Sequence, residues 1–570
     1  MSRCVSIPRL TLAGVLVATC VGISVPSGAD DRAVLDEYVV VFDRSADGGA
    51  DADASVQQAV AAVEGAGGRV VDVNEAMGVA LVRTVEAGFR SAVGEQPGIT
   101  GVMPNHSVGI ERPDMSHRYA QERPAAAERA QATPSGARAA GADTAAQAEP
   151  LTDRQWNMAM IGAVDLPVTG AGVDVGIIDT GIDAGHPDIA PNFDAGRSRN
   201  FTTDIPSIDG PCEVASCVDP VGADDRGHGT HLAGVVAAAR NGMGMAGVAP
   251  DATLVNLRAG QDSGLFFLYE TLDAITAAGD LQLDVVNMSF YTDPWLYNCD
   301  SPDDYLSGTV TEDELEQQRL TRQLMGEALE YAHQRGVTLV AAVGNEHADL
   351  SAPQRFDGFS PGFPPGNRKG RTVSRDCLDL PNEGPHVISV GSVGPSGTKA
   401  DYANYGLGSI DLVGPGGWAR DGAGTPSYQQ PTNLVLGPYP QVAARSQDLV
   451  DAAGNPLDGY TVRDCGAGGA CGVYTYLQGT SMAAPHVVGV VALIVQRHGT
   501  GSPAGGFSLD PDQVGSILAS SAADQPCPPG GSLSYDAAGR NADWTAACAG
   551  TPANNGLYGE GIVNAANATR

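Results

Sequence analysis

The feature that most constrains the fold is an alternation of strand-like and helix-like segments from Leu151 to the end of the chain. Strands that are apolar throughout are buried on both faces, as in a parallel sheet covered by helices. The pattern predicts a doubly wound α/β domain with a mainly parallel sheet. Apolar runs of strand length occur at 173–178, 253–257, 283–288, 337–343 and 387–393, and helix-like segments occur at 231–239, 265–278, 312–335 and after Ser481.

Polar residues stand where the strands of such a fold end, and this edge of the sheet carries the chemistry in doubly wound proteins. Asp179 ends the first strand, Asn345 follows the fourth, and His228 lies between two glycines before a helix. Ser481 opens a long apolar helix in which Pro485 withholds the usual donor from the Ser481 carbonyl. Singly, these residues are ordinary turn formers and helix caps. Together they are the nucleophile, base, acid and amide donor that acyl transfer requires.

Three long motifs around these residues resemble those of the subtilisin-like serine proteases, the subtilases. The resemblance implies a subtilisin-like fold over 151–570 and a serine endopeptidase that needs no cofactor for its chemistry. It implies that Ser481 attacks the peptide carbonyl, His228 moves the proton and Asp179 orients His228, while Asn345 and the Ser481 N–H bind the oxyanion. The motifs are VGIIDTGIDAGHPDI around Asp179, RGHGTHLAGVVAA around His228 and GTSMAAPHVVGVVALI around Ser481, with AAVGNE around Asn345.

The same resemblance indicates the substrate-binding positions. Ser289 lies on the strand that pairs with substrate in the family, and Ala342 and Gly344 border the same cleft. Relatives usually have glycine near Tyr291. This side chain is expected either to fill the mouth of the pocket for the substrate residue before the scissile bond (P1), which would exclude bulky P1 side chains, or to swing away under the insertion that follows. Substrate preference itself stays open because three long insertions could reach the cleft, at 292–320, 352–380 and 417–475.

Structural calcium is a possibility that the resemblance raises. Asp188 and Asn241 match positions that bind calcium in many relatives, but calcium takes six to eight oxygen ligands. The alternative is a loop that keeps its shape without metal. His231 and His486 also lie inside the motifs, and we interpret them as structural because the chemistry needs no second base.

The chain before Leu151 has its own organisation. Residues 37–104 alternate as strand, helix, strand, strand, helix and strand, which predicts a small α+β unit of ferredoxin-like type. It resembles the inhibitory propeptide of the subtilases, and we assign it to residues 30–112. Residues 113–150 are rich in alanine, proline and charge, which is typical of a flexible, protease-accessible linker.

Residues 1–29 have the features of an export signal. Arg3 and Arg9 precede an apolar stretch over 10–25, and small residues follow at 27–29. A lipid anchor on Cys20 is the alternative. No later stretch is expected to be long and apolar enough to span a bilayer, so we expect a secreted product without a stable membrane anchor.

Eight cysteines follow the signal, an even number that favours disulfides in an exported chain. The alternative of a zinc site is weakened by the absence of any CxxC pair. Short separations favour three of the pairs and leave the fourth: Cys212–Cys217, Cys465–Cys471 and Cys527–Cys548, with Cys299–Cys377 remaining.

The formal net charge of −34 argues against nucleic acid as a partner. The partners expected are polypeptide substrates and the chain's own propeptide, with the enzyme a monomer. The function predicted is that of a secreted serine endopeptidase made as a self-processing zymogen. Alternatives are a protease dedicated to one precursor, an esterase, and a catalytically silent subtilase fold that acts as a binding module.

Overall fold

The computed structural model of the chain describes residues 36–44, 50–107, 149–362, 368–466, 468–501 and 506–570. The predicted export signal and residues 113–148 of the predicted linker therefore lie outside the described residues.

The first part of the chain folds as the predicted α+β unit. Its four strands form an antiparallel sheet in the order β2–β3–β1–β4, which is the ferredoxin-like arrangement. One face of the sheet packs against its own two helices, with Val40 and Val82 of the sheet in contact with a core that includes Val63 and Phe89. The elements are β1 (Asp36–Phe42), α1 (Ala50–Gly65), β2 (Arg69–Asn74), β3 (Val79–Thr84), α2 (Phe89–Gly94) and β4 (Ile99–Ser107).

The second part of the chain, from Glu149 onward, contains the larger sheet and its helices. The elements in chain order are α3 (Trp156–Met160), β5 (Asp174–Ile178), β6 (Arg199–Asn200), α4 (His228–Ala237), β7 (Thr253–Arg258), α5 (Leu268–Asp280), β8 (Val285–Met288), β9 (Tyr305–Ser307), α6 (Glu312–Gln334), β10 (Thr338–Ala342), β11 (Gln354–Asp357), β12 (Arg371–Ser374), β13 (Val387–Val393), β14 (Leu412–Pro415), β15 (Val435–Tyr439), α7 (Gln441–Ser446), β16 (Thr461–Cys465), β17 (Cys471–Leu477), α8 (Thr480–His498), β18 (Thr500–Gly501), β19 (Phe507–Ser508), α9 (Pro511–Ser521), β20 (Ser532–Leu533), β21 (Ala546–Ala547), β22 (Gly550–Thr551), β23 (Asn554–Asn555) and α10 (Ala565–Ala568).

Seven parallel strands form the central sheet, in the order β14–β13–β10–β8–β5–β7–β6. Successive strand residues face opposite sides: Ile177 packs into the core beneath α4 and α8, and Ile178 packs into the core beneath α5 and α6. Both faces are thus covered by helices, and the predicted doubly wound α/β fold is confirmed. The sequence prediction missed β14 and the short edge strand β6.

Helix α8 lies across one face of this sheet, and one prediction about this segment was wrong. It is long and apolar enough to span a membrane by length and composition, contrary to the expectation that no such stretch follows the signal. However, 89% of its apolar window is buried inside the protein, so it is a core helix. It packs against β8, β10, β13 and β14 and carries Ser481 at its amino end.

The described residues of the three insertions are folded parts of the structure. Strands β9, β11 and β12 join the first two insertions in one antiparallel sheet, and the Cys299–Cys377 disulfide links them again. Helix α6 begins at Glu312, as predicted from the sequence, so the last residues of the first insertion belong to this helix. The third insertion contains the antiparallel sheet β15–β17–β16 and the Cys465–Cys471 disulfide. The predicted Cys212–Cys217 and Cys527–Cys548 pairs are also present.

The free face of the first sheet packs on helices α5 and α6. Val39, Leu81 and Met103 share one apolar core with Leu272 and Leu324 of these helices. Polar contacts surround that core: the Asn74 amide donates to Asp273 Oδ1 at 2.8 Å, and the Asn105 amide donates to Glu270 Oε2 at 3.1 Å. The two parts are therefore joined by a substantial buried interface.

Candidate active site

Asp179 and His228 form a buried hydrogen-bonded pair. Asp179 follows β5 directly, and its Oδ1 lies 2.8 Å from Nδ1 of His228. His228 is the first residue of α4, so this helix begins three residues before the position expected from the sequence. Because both side chains are almost completely excluded from water, their contact is little screened.

Asp224 explains the earlier helix start and ties these segments together. Its Oδ1 accepts from the Gly227 N–H at 2.7 Å and from the Thr180 hydroxyl at 3.0 Å, and its Oδ2 accepts from the Thr230 N–H at 2.9 Å. The carboxylate therefore binds N–H groups at the amino end of α4 and holds the residue after Asp179. Sequence reasoning missed Asp224, although its place four residues before His228 was the available signal.

Two glycines allow the amino end of α4 to lie in close contact with the segment after Asp179 and with the ring of Tyr439. A Cβ on Gly229 would lie 2.2 Å from the Gly181 carbonyl oxygen. Gly227 has a φ of 93°, and a Cβ there would lie 2.4 Å from the ring of Tyr439. The glycines that flank His228 are thus required by contact and by backbone conformation.

Ser481 is the second residue of α8, and its carbonyl has an unusual partner. Pro485 has no N–H to donate to that carbonyl. The hydroxyl of Ser289 donates to it instead at 3.1 Å, and the Asn287 amide donates to the Ser289 hydroxyl at 3.0 Å. The segment after β8 is therefore fastened to the first turn of the helix that presents Ser481.

Asn345 is held beside the same turn. Its Oδ1 accepts from the backbone N–H of Thr480 at 2.9 Å and from the Thr480 hydroxyl at 3.0 Å. These two bonds fix the orientation of the amide. They also leave Nδ2 as the donor that Asn345 can offer to a ligand next to Ser481.

A pocket of about 60 Å³ adjoins Ser481. All four predicted substrate-binding residues border it, namely Ser289, Tyr291, Ala342 and Gly344, and so do Asn345 and Ser481. Five lining residues were not singled out from the sequence: Phe290, Leu296, Glu346, Asp379 and Thr480. Asp379 comes from the second insertion, which has no motif that would have marked it.

His231 and His486 are fully buried and bonded to main-chain oxygens. His231 Nε2 contacts the Val435 carbonyl at 3.2 Å, and His486 Nδ1 contacts the Met482 carbonyl at 2.8 Å. Burial lowers the pKa of His231 to about 3 and that of His486 to about 4. These contacts support the interpretation of both as structural residues.

Asp188 and Asn241 lie together, but their surroundings do not fit a calcium ion. Asp188 Oδ2 accepts from the Tyr474 hydroxyl at 2.8 Å and from the Met245 N–H at 3.0 Å, and Oδ1 accepts from the Asn241 amide at 3.3 Å. Burial raises the pKa of Asp188 to about 7. Hydrogen donors thus occupy the place of the oxygen ligands that calcium would need.

Two other groups bring possible ligand atoms close together among the described residues. One is His333, His386 and Asp512, and the other is Asp204, Glu213, Asp219 and Asp262. The acidic group already surrounds a buried cation, because Arg258 pairs with Asp219 at 2.7 Å and with Asp262 at 2.8 Å. Neither group contributes to the pocket beside Ser481.

Comparisons with known proteins find subtilisins among the relatives of this chain. Subtilisin DY of Bacillus licheniformis is 27% identical over 335 residues, which cover 58% of this chain and 79% of that protein. Subtilisin NAT of Bacillus subtilis subsp. natto is 25% identical over 332 residues, or 58% of each chain.

The solved structure of an epidermin leader peptide processing serine protease from Staphylococcus aureus has the same fold. The TM-score is 0.57 at 19% identity, and the superposition covers 94% of this chain and 98% of that one. A model of the subtilase family matches residues 170–561, which is more than half of the sequence. The chain therefore belongs to the subtilase family of serine proteases.

Proposed function

We propose that this protein is a secreted serine endopeptidase that hydrolyses peptide bonds through an acyl-enzyme and is made as a self-processing zymogen. The observation that carries the proposal is the buried 2.8 Å contact between Asp179 Oδ1 and His228 Nδ1. It is what a base requires if it is to keep the correct tautomer and become charged during turnover. A catalytically silent binding module would have no need of this buried pair.

The proposed chemistry assigns one role to each group. With its Nδ1–H donated to Asp179, His228 has the lone pair of Nε2 available to take the Ser481 proton. Ser481 Oγ then attacks the substrate carbonyl, and the oxyanion accepts hydrogen bonds from Asn345 Nδ2 and the Ser481 N–H. His228 returns the proton to the leaving amine. Water then hydrolyses the acyl-enzyme by the same route in reverse.

The zymogen proposal rests on the interface between the first sheet and helices α5 and α6. An apolar core shared between the two parts supports a role for the first part in folding the protease. We assign residues 1–29 to the export signal, 30–112 to the inhibitory propeptide, 113–150 to the flexible linker and 151–570 to the peptidase domain. Four disulfides support an oxidising, extracellular destination. We propose a monomer without a membrane anchor.

A Ser481→Ala variant of the full chain tests this proposal, with Ser520→Ala as the control because Ser520 is an exposed serine on α9. Purified Ser520→Ala protein should lose its N-terminal part, bind a fluorophosphonate covalently and cleave peptides. Ser481→Ala protein should keep its full mass, stay unlabelled and be inactive. Processing of the Ser481→Ala protein in the absence of other proteases would refute the assignment of the nucleophile.

The breadth of the substrate range is a separate question that a peptide library answers. Cleavage of many library peptides would support a broad endopeptidase. Cleavage of none, together with normal fluorophosphonate labelling, would favour a protease dedicated to one precursor. Turnover of esters without turnover of peptides would favour the esterase alternative.

A further inference from the structure

We infer that the pocket beside Ser481 selects lysine or arginine as the P1 residue of the substrate, with the carboxylate of Asp379 as the determinant. This inference rests on the proposed function, since it concerns the substrate of the same site. It adds a substrate class that neither the family motifs nor the relatives supply.

Asp379 is buried, borders the pocket and lacks a full set of hydrogen-bond partners. The residue is 3% exposed and lines the cavity together with Ser481 and Asn345. Its Oδ1 has no hydrogen-bond partner among the described residues. A buried carboxylate without partners is costly, so the arrangement points to a group that arrives with the substrate.

Arg355 acts on Asp379 through its charge, but its hydrogen bonds go to other groups. Arg355 makes two short bonds to Glu383, at 2.5 Å and 2.7 Å, and its other bonds go to the Leu350 and Cys377 carbonyls. The Asp379 N–H also donates to Glu383, at 2.9 Å. Arg355 is therefore occupied by another carboxylate.

A second acidic side chain lines the same pocket. Glu346 follows Asn345, and its Oε2 accepts from the Asn404 amide at 2.7 Å. Burial raises the pKa of both Asp379 and Glu346 above the usual carboxyl value. Two carboxyl groups that are hard to ionise alone would both be stabilised in their charged form by a cation between or beside them.

The remaining walls fit the rest of a lysine or arginine side chain. Phe290, Tyr291 and Leu296 contribute apolar surface to the pocket. Lysine and arginine have a slender apolar stem and carry their charge at the tip. A narrow pocket with apolar walls and carboxylates thus matches both parts of these side chains, whereas a phenylalanine would leave Asp379 unpaired.

The test compares kcat/KM for peptides that differ only at P1, with Lys, Arg, Gln, Ala or Phe, in the processed enzyme. The variant is Asp379→Asn, which keeps the shape and removes the charge. The control is Asp376→Asn, because Asp376 is an exposed acid three residues away in the same insertion. We expect wild type and control to prefer Lys and Arg over Ala by at least tenfold.

Asp379→Asn should lower kcat/KM for the Lys and Arg peptides by roughly 10- to 100-fold, the usual effect of losing a hydrogen bond to a charged group. Its kcat/KM for the Ala peptide should stay within about twofold of the wild-type value, because a P1 determinant affects only those substrates whose P1 side chain it contacts. A second measurement uses n-butylguanidinium as a competitive inhibitor of Ala-peptide cleavage. Its inhibition constant should rise at least tenfold in Asp379→Asn and not in the control.

The outcomes separate the two proposals. Turnover of the Ala peptide with no preference for Lys or Arg, or a preference that Asp379→Asn leaves unchanged, overturns this inference alone. A preference for Gln over Lys also overturns it, since the acid would then act as a neutral hydrogen-bonding group. No turnover of any peptide and no fluorophosphonate labelling overturns the proposed function and this inference with it.

Discussion

The Oδ1 atom of Asn345 accepts two hydrogen bonds from Thr480, from its N–H at 2.9 Å and from its hydroxyl at 3.0 Å. Asn345 is thereby positioned by the residue that precedes Ser481. If its Nδ2 stabilises the oxyanion, Asn345→Ala should lower kcat by about 10²–10³ and change KM little. This magnitude is known for subtilisin and is carried over to this chain.

Thr480→Val provides the matched comparison for Asn345. It removes one of the two bonds that orient the amide and leaves the amide itself in place. We expect a smaller loss of kcat, about tenfold, because the backbone bond persists. Steady-state kinetics on one good substrate check both variants. Full kcat in Asn345→Ala would show that the oxyanion is stabilised by other groups.

Asp224 should be important for stability as well as for activity. Asp224→Ala leaves N–H groups of Gly227 and Thr230 without their acceptor at the start of α4. We expect a loss of about 1–3 kcal/mol in the free energy of unfolding, together with a lower kcat because His228 begins this helix. Urea unfolding and kinetics measure the two effects. Asp225→Ala is the control, and an equal loss in that variant would contradict the specific role of Asp224.

Tyr291 should exclude wide P1 side chains, while the slender stem of lysine or arginine still enters the pocket. The side chain lines the pocket, and overfilling a packed site costs roughly 1–3 kcal/mol. Tyr291→Gly should therefore raise kcat/KM for Phe and Leu peptides relative to the Ala peptide by about tenfold or more. Tyr291→Phe keeps the ring and should retain the native order of preference. Unchanged selectivity in Tyr291→Gly would mean that the ring does not restrict the pocket.

The affinity of the first sheet for the peptidase domain should fall as the pH rises. Burial raises the pKa of Asp273 to about 8, with Asp72 and Glu270 raising it further and the bond from Asn74 lowering it. Tyr269 and Glu37 are further ionisable groups in the same cluster of charges. If release of the first sheet exposes Asp273 and restores its usual value near 4, association takes up a proton.

The affinity gained from this proton is complete below the lower pKa and is lost as the pH rises toward the higher one. The processed complex should therefore dissociate more readily at pH 8 than at pH 6, as size-exclusion chromatography can show. Asp273→Asn cannot titrate and should reduce this dependence on pH. An unchanged dependence in that variant would assign it to other groups.

The central sheet and the candidate active site were predictable because their signals are local. Each buried strand is a short apolar run, and the residues around Asp179, His228 and Ser481 lie in continuous motifs. The start of α4 was misplaced because the acceptor that caps it, Asp224, lies outside the helix. Strand β14 was missed because only two apolar residues precede a glycine and a proline in it, and it takes its stability from the neighbouring β13.

The small sheet of β9, β11 and β12 could not be predicted for a different reason. Its strands have three or four residues each, and β9 pairs with β12 across more than sixty residues of chain. Such pairing depends on the tertiary structure and leaves no periodic pattern in the sequence. Asp379 was overlooked for the same reason, since only the folded insertion brings it to the pocket beside Ser481.

The first two insertions form one structural unit, which can be exchanged between enzymes only as a whole. Tyr291 and Leu296 reach the pocket from one end of this paired unit and Asp379 from the other, and one disulfide links the two segments. Neither segment can be exchanged alone without leaving a broken sheet and an unpaired cysteine. Transplanted together, they form a cassette that could transfer the pocket lining to a related scaffold while the Asp179, His228 and Ser481 motifs stay untouched.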